Sequence, residues 1–434
     1  MKHSIVYVAV AGLLLALAGC TREAVEQPGP GGAPVATDAK AKVRFLAMEY
    51  DTNTRPFMQK LAEKFEAANP DIDLNIEVID WDAGFQKLST LVNADNAPDL
   101  ANIATIWLPE FVSLDVVQPL EEFVSDEMRE RFIPKTLRGA SYQGKLYGLP
   151  IAVSARALYC NSTLLAAAGE QPPATWDDLL RVARKCHDPD SGIFGFGVQG
   201  AKTETDVYWY YFLWANGGRI LSEDRSKATF NSPEGVEALQ FVVDLIHKYK
   251  VTEPDTTAYD REDLQPLFKA GKLAMVITGP WFWGMLEKDV PDLEYELAPI
   301  PRRKEQVTMA VTDNLVMFKS CENKEAAWKF IEFFYDPELR LEWAETFGML
   351  PELKAVAESE YITGSKQWSL LMSLLPDGRF VPLHPRWTTI AEEIKVALQE
   401  AQLQSKPVRQ ALDDAAERVN AILAETEALP SATQ

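Results

Sequence analysis

The chain has 434 residues and a formal charge of −21, with 47% hydrophobic and 25% charged side chains. That length exceeds one ordinary core and predicts two or three domains, while the balance of apolar and charged residues excludes a disordered chain and a multi-span membrane protein. So acidic a surface repels phosphate backbones and anionic lipid, which argues against nucleic acid as a partner.

Behind Met1, Lys2 and His3 runs IVYVAVAGLLLALAG, as long as a secretory apolar region and shorter than the roughly 20 residues of a spanning helix. It closes on Leu17-Ala18-Gly19-Cys20. Small residues ahead of a cysteine resemble the lipobox of bacterial lipoproteins, which implies cleavage before Cys20 and acylation of that residue. Residues 21–40 are rich in Pro, Gly and Ala and poor in large apolar groups, so they read as a flexible tether reaching on the order of 25 Å. Cleavage removes no charge except Lys2, and no later apolar stretch approaches spanning length. The expectation is a soluble body on a lipid anchor. Cys160, Cys186 and Cys321 then remain, enough for one disulfide, at spacings that fit no metal or redox motif; buried free thiols are expected.

The apolar run Val43–Met48 reads as a buried strand, with a turn at Asp51–Thr54. A helix follows, with Pro56 in its first turn, Phe57, Leu61 and Phe65 at four-residue steps, and Asn69-Pro70 as its stop. Asp73–Ile79 alternates as a second strand, a helix covers Ala83–Asn93, and Asp99–Thr105 is a third strand. This alternation predicts an α/β fold with a parallel sheet, whose ligands lie beyond the carboxyl ends of the strands. Those ends are Met48-Glu49-Tyr50, Ile79-Asp80-Trp81 and Thr105-Ile106-Trp107. Further helices are predicted behind Thr175, behind Ser232-Pro233 and over Glu322–Glu338, and the last hundred or so residues read as mostly helical.

Chemistry finds little raw material. The segment GFGVQG (Gly195–Gly200) matches a dinucleotide fingerprint by spelling, yet AKTETD follows it instead of an apolar helix, so it reads as a turn. His3, His187, His247 and His384 are scattered, no nucleophile motif occurs, and neither a metal site nor a cofactor is predicted. Carboxylates abound, but sequence does not pair them as a glycosidase requires.

Several stretches in order, among them KLAEKFEAANPDI, YQGKLYGLPIAVSARALYCN, PPATWDDLL, ANGGRI, FKAGKLAMVITGPWFW and NKEAAWKFIEFF, resemble the family 1 extracellular solute-binding proteins, the sugar-binding components of bacterial ABC importers. The likeness runs from about Lys42 to Leu423. It implies two discontinuous α/β lobes, of residues 41–150 with about 310–350 and of 151–309 with about 351–428, crossing near Pro150–Val153, Thr308–Thr312 and Gly348–Pro351. It also implies a neutral mono-, di- or oligosaccharide bound between them, closure as the signal to importer transmembrane subunits, a monomer, an extracytoplasmic location and no catalysis.

The resemblance makes Trp281, in the G-P-W motif, an indole platform for a sugar ring, with Phe282 and Trp283 packed beneath. Trp107, Trp81, Asp80, Glu49 and Tyr50 are cleft candidates at the strand ends, and Ser154 and Arg156 at the first crossing. Tyr208, on an aromatic helix that is otherwise core, and Arg386 complete the set. Asp313 and Asn314 depart from the family's glycine pair and bring side chains to that position. Three alternatives stand beside this reading. They are a polyol or glycerophosphodiester receptor, favoured if Arg156 and Arg386 converge, a surface polysaccharide-degrading enzyme, and a regulatory or adhesive lipoprotein with a blocked cleft.

Overall fold

The structure, a computed structural model, describes residues 40–427, which belong to one compact unit; Cys20, its leader and the tether lie outside the described residues. Among the described residues no helix is long and apolar enough to cross a membrane.

β1 (Ala41–Met48) buries Val43, Phe45, Ala47 and Met48. The turn after it is built by short polar side chains: Asp51 Oδ1 accepts the Asn53 amide at 2.7 Å, and Thr54 Oγ1 accepts those of Tyr50 and Asp51 at 2.9 and 3.1 Å. The helix Thr54–Ala68 then lays Phe57, Leu61 and Phe65 on the sheet. β2 (Ile72–Ile79) returns parallel to β1, and the helix Trp81–Asn93 leads to β3 (Leu100–Ala104), parallel on the other side of β1. To this point the sheet is the parallel one expected.

β4 (Gly148–Ser154) is buried throughout, and β5 (Ala157–Asn161) begins a second, antiparallel sheet with β6 (Met275–Thr278) and β7 (Tyr295–Ala298) in the order β6-β5-β7. The changeover between sheets falls at Ala155 and Arg156. β8 (Val311–Met317) then enters the first sheet between β3 and β4 and runs antiparallel to both, giving the order β2-β1-β3-β8-β4. The wholly parallel expectation is therefore corrected to a mixed sheet. β8 arrives from the other sheet without a crossover helix of its own, so it enters from the opposite end.

One core gathers residues between Val43 and Ala152 with Leu315 to Val356; another gathers Leu158 to Met309 with Trp387 to Leu423. A third cluster sits at the changeovers, where Val153, Ala155, Ala157 and Leu350 meet Trp368 and Leu371. The helices behind Thr175 and Ser232 start where expected, each capped by that hydroxyl. The GFGVQG segment is an irregular buried stretch, and a Cβ on Gly195 would lie 2.1 Å from the Ala183 carbonyl oxygen, so its glycine serves close packing. Cys160, Cys186 and Cys321 are buried free thiols.

The β8–β4 pairing slips between Asp313 and Asn314, so that Asp313 faces Ala152 and Asn314 faces Pro150. The proline has no amide to offer the ladder, which suits a bulge at the sheet edge. The carbonyls turned outward there are taken up: the Tyr335 hydroxyl donates to Pro150 O at 2.9 Å, and Arg340 Nη2 donates to Ile151 O. Arg340, 1% exposed, lies on Phe334 and Trp343 and pairs with the equally buried Glu352 at 2.6 Å. One guanidinium thus ties the β4 bulge to the segment after Leu350, whose amide donates to Val153 O at 2.8 Å. Removing one partner of a buried pair strands the other charge, at about 3–5 kcal/mol. Glu352→Ala is expected to cost about that much in denaturant unfolding, while Lys60→Ala, which breaks an exposed pair with Glu342, costs under about 1 kcal/mol.

Candidate functional site

Two groups of side chains meet where the chain changes sheets. The first stands on the ends of the first sheet. Tyr50, just past β1, has its ring edge-on to Trp81 at 5.6 Å and to Trp343 at 5.5 Å, and Trp81 leans on Trp107 at 5.5 Å. Its hydroxyl lies 2.9 Å from Asp313 Oδ2 and 3.1 Å from Asn102 Oδ1. Burial lifts the Tyr50 phenol well above its ordinary range, and Asp313 adds to that. Burial also pushes the Asp313 carboxyl up to about 7, against the opposing pull of the Tyr50 hydroxyl and the Arg156 guanidinium.

The second group surrounds Trp281, the first residue of the helix Trp281–Asp289. Its ring folds back over Gly279, where a Cβ would come within 2.1 Å of it. Arg156 stands 4.6 Å and Arg261 5.2 Å from the ring centroid. Arg156 is held through its main chain, donating to Thr308 Oγ1 at 2.9 Å and accepting from it at 2.8 Å, while its Nη1 donates to Ser154 Oγ at 2.7 Å. Arg261 pairs with Glu204 at 3.0 Å. Tyr208 packs edge-on to Tyr211 at 5.5 Å, and both phenols feel Arg156 and Arg261, although burial keeps them raised.

Of the residues expected from sequence, Tyr50, Trp81, Trp107 and Asp313 therefore form one group, and Ser154, Arg156, Tyr208 and Trp281 the other, with Arg156 and Asp313 in each other's field. Trp107 is 8% exposed and more core than wall, whereas Trp281 is half-buried. Phe282 is fully buried, and Trp283 packs on Trp368 at 5.3 Å. Three candidates stand apart. Glu49 is bound by both carboxylate oxygens to Arg55, at 2.8 and 3.1 Å, because that guanidinium lies one helical turn past the strand end. Asp80 is exposed ahead of the helix Trp81–Asn93 and caps it with no side-chain bond. Arg386 precedes the helix Trp387–Gln402, donates from its own amide to His384 Nδ1 at 3.1 Å and lies in the field of Glu110. The guanidinium that shares the Trp281 ring with Arg156 is Arg261.

Sequence reasoning missed Arg261, Glu204, Tyr211, Asn102 and Thr308. Arg261 and Glu204 are 57 positions apart, and only the fold joins them. Arg156 Nε and Asn102 Nδ2 are buried without a hydrogen-bond partner, polar capacity that a polar guest could satisfy. Among the described residues no group of His, Cys, Asp and Glu could hold a metal ion. The broad groove lined by Lys64, Arg131, Phe333 and Leu339 is distant in kind: it carries none of these residues.

Two α/β bodies, each with its own sheet and core, joined by strand changeovers at which aromatic and polar side chains converge, define the class of two-lobed solute-binding receptors. The chain belongs to the bacterial extracellular solute-binding protein family, which it matches over residues 51–340. It is 39% identical over 385 residues to a protein of Brucella abortus (strain 2308) described as a binding protein, covering 88% of this chain and 93% of the other. Its structure superposes with a TM-score of 0.81 on an ABC transporter solute-binding protein from Thermotoga lettingae bound with α-D-tagatose, at 30% identity, covering 88% of this chain and 100% of that one. Against maltose-bound MalE3 of T. maritima the TM-score is 0.79 at 26% identity, covering 88% and 99%.

The contact of Trp281 with Gly279 is testable without any ligand. Gly279→Ala is expected to destabilise the protein by about 1–3 kcal/mol through overpacking, and that cost should vanish in a Trp281→Ala background. An equal cost in both backgrounds, read by denaturant unfolding, would place the strain elsewhere.

Proposed function

We propose that this protein is the extracytoplasmic receptor of an ABC importer, binding a neutral mono-, di- or oligosaccharide between its lobes and presenting it to the importer's membrane subunits by closure, without chemical change. The observation that carries the neutral ligand is the charge pairing of the cleft. Arg261 has Glu204, and Arg156 has the field of Asp313, so neither sign is in surplus. A phosphodiester would ask for an unpaired guanidinium pair. A pyranose asks instead for flat rings against its C–H faces and mixed donors and acceptors around its hydroxyls. Trp281 supplies the plane, and Arg156, Tyr208, Tyr211, Tyr50 and Asp313 supply the polar edge.

Ligand contact with both groups favours the closed state, since only closure lets one molecule touch both. In this reading the lobes follow the boundaries expected from sequence, the receptor acts as a monomer, and acylated Cys20 holds it at the outer face of the cell membrane. Two outcomes are expected. Calorimetric titration with D-tagatose and maltose should give binding heat with at least one, and Trp281→Ala should weaken it about five- to tenfold, as loss of about 1–1.5 kcal/mol of ring contact requires. No heat from either sugar counts against the reading, as would new reducing ends after incubation with oligosaccharides. Expressed in a bacterium with its leader, the protein should fractionate with membranes, and Cys20→Ala should release it to the soluble fraction.

A further inference from the structure

The helix Thr205–Ala215, which carries Tyr208, closes a small cavity against the end of the GFGVQG segment. The space measures about 20 Å³ and is walled, among others, by Gln199, Thr205, Tyr208, Trp209, Val242 and Gln402. One water needs about 10–15 Å³, so the cavity takes a single water and no larger molecule. Its wall is far from apolar. Gln199 and Gln402 are each 3% exposed and Trp209 is 2% exposed, yet Gln199 Oε1, Gln402 Oε1 and Trp209 Nε1 have no hydrogen-bond partner in the protein. Buried polar atoms are rarely left so, and these three come from separate stretches of chain that the cavity brings together. No charged side chain stands among the described residues that line it, so the set calls for a neutral guest that both donates and accepts.

A water meets this set whichever way the free amide stands. The Gln199 amide is fixed, because its Nε2 donates at 3.1 Å to Ile277 O, which can only accept. Gln402 Nε2 lies 3.0 Å from Thr205 Oγ1, a hydroxyl that accepts or donates, so this amide is free to turn. With its oxygen toward the cavity, the water donates to both glutamines and accepts from the Trp209 indole. With its nitrogen there, the water donates once and accepts twice. Both counts stay within a water's two hydrogens and two lone pairs. Gly200, the last glycine of GFGVQG, keeps the approach to Gln402 open, since a Cβ there would lie 2.3 Å from Gln402 Oε1. We infer that this cavity is a single-water site, and that its water pins the helix carrying Tyr208 to the stretch ending at Gln199 and to the end of the helix Trp387–Gln402. The inference goes beyond the receptor reading and does not rest on it.

Nuclear magnetic resonance on the protein labelled with 15N-tryptophan tests it. Trp209→Phe identifies the indole signal of Trp209 by its loss. In the wild type that N–H should show a cross-peak to water, with the rotating-frame sign of a bound molecule and not that of hydrogen exchange. Val242→Leu adds one methylene to the wall and should abolish the cross-peak while the indole signal stays. Gln402→Met keeps the length of the side chain, removes one of the three partners and should weaken it, which leaves a second reading should the leucine variant fail to fold. A Trp209 indole without a water cross-peak, or one that both variants leave unchanged, overturns the site. Diffraction fine enough to place waters gives an independent reading. An ordered water within about 3 Å of at least two of the three atoms is expected. Side chains that have turned to bond one another across the space would overturn it.

Discussion

The cleft depends on a strand that one body receives from the other. The chain leaves the second sheet at β7, and β8 enters the first between β3 and β4, where it must satisfy its main-chain groups on both sides while largely buried. It does so at the expense of one slipped residue opposite Pro150, and the carbonyls that the slip turns outward are claimed by Tyr335 and Arg340. Just ahead of the slip, the Thr312 and Thr105 hydroxyls lie 2.6 Å apart, and Gly139 must be a glycine because a Cβ there would sit 1.8 Å from Thr312 Oγ1. Asp313 is therefore a rigidly placed carboxyl on packed sheet, with a guanidinium-locked bulge behind it. A binding group mounted this way is positioned before any ligand arrives, which lowers the ordering cost of binding.

Rigidity on the other side comes from different means. Arg156 lies in the two-residue gap between β4 and β5, and Thr308 grips its main chain from the segment just ahead of β8. Two of the three strand changeovers are thus bonded at Arg156, and the third passes Trp281, since Gly348, in left-handed backbone at φ 62°, lies against the Trp281 Cα. The side chains that offer hydrogen bonds and the indole are fixed by the same few residues about which relative lobe motion would turn. In the proposed receptor, coupling between occupancy and closure then needs no distant pathway, because the proposed ligand contacts lie at the joint itself.

Much of this was legible in the chain, and the limits have physical causes. The first three strands and their helices showed through period and punctuation, because Val43–Met48 is apolar on both faces and Phe57, Leu61 and Phe65 keep a helical step. The antiparallel entry of β8 was not legible, since VTDNLVM looks the same whichever way it runs. Strand ends offered Tyr50, Trp81 and Trp107, which the fold brings together, yet gave no sign that Glu49 would be consumed by Arg55, a contact decided by the helix start six residues on. The family likeness pointed to Trp281 and Arg156. It could not supply Arg261, Glu204 or Tyr211, whose approach depends on where the fold sets the starts of the helices Thr205–Ala215 and Arg261–Lys269, joined by the Glu204–Arg261 pair.

The two guanidiniums on Trp281 raise the question of whether the platform is open to a sugar at all. A cation over an indole is worth about 0.5–1 kcal/mol when exposed and about 2 when dry. Stacking of a sugar ring is of the same order, about 1 kcal/mol, so on dispersion alone neither displaces the other decisively. Hydrogen bonds break the tie. Arg261 is tethered to Glu204 at 3.0 Å, and Arg156 holds Ser154 through Nη1 while its buried Nε has no partner, so in the proposed receptor a ligand oxygen would find a donor there. Each bond to a charged donor contributes about 1.5–3 kcal/mol, more than the ring contact surrendered. In the proposed receptor the guanidiniums then serve as placeholders: they lie over the indole in the empty protein, and a polyhydroxy ring would draw them from its face to the ligand's edge.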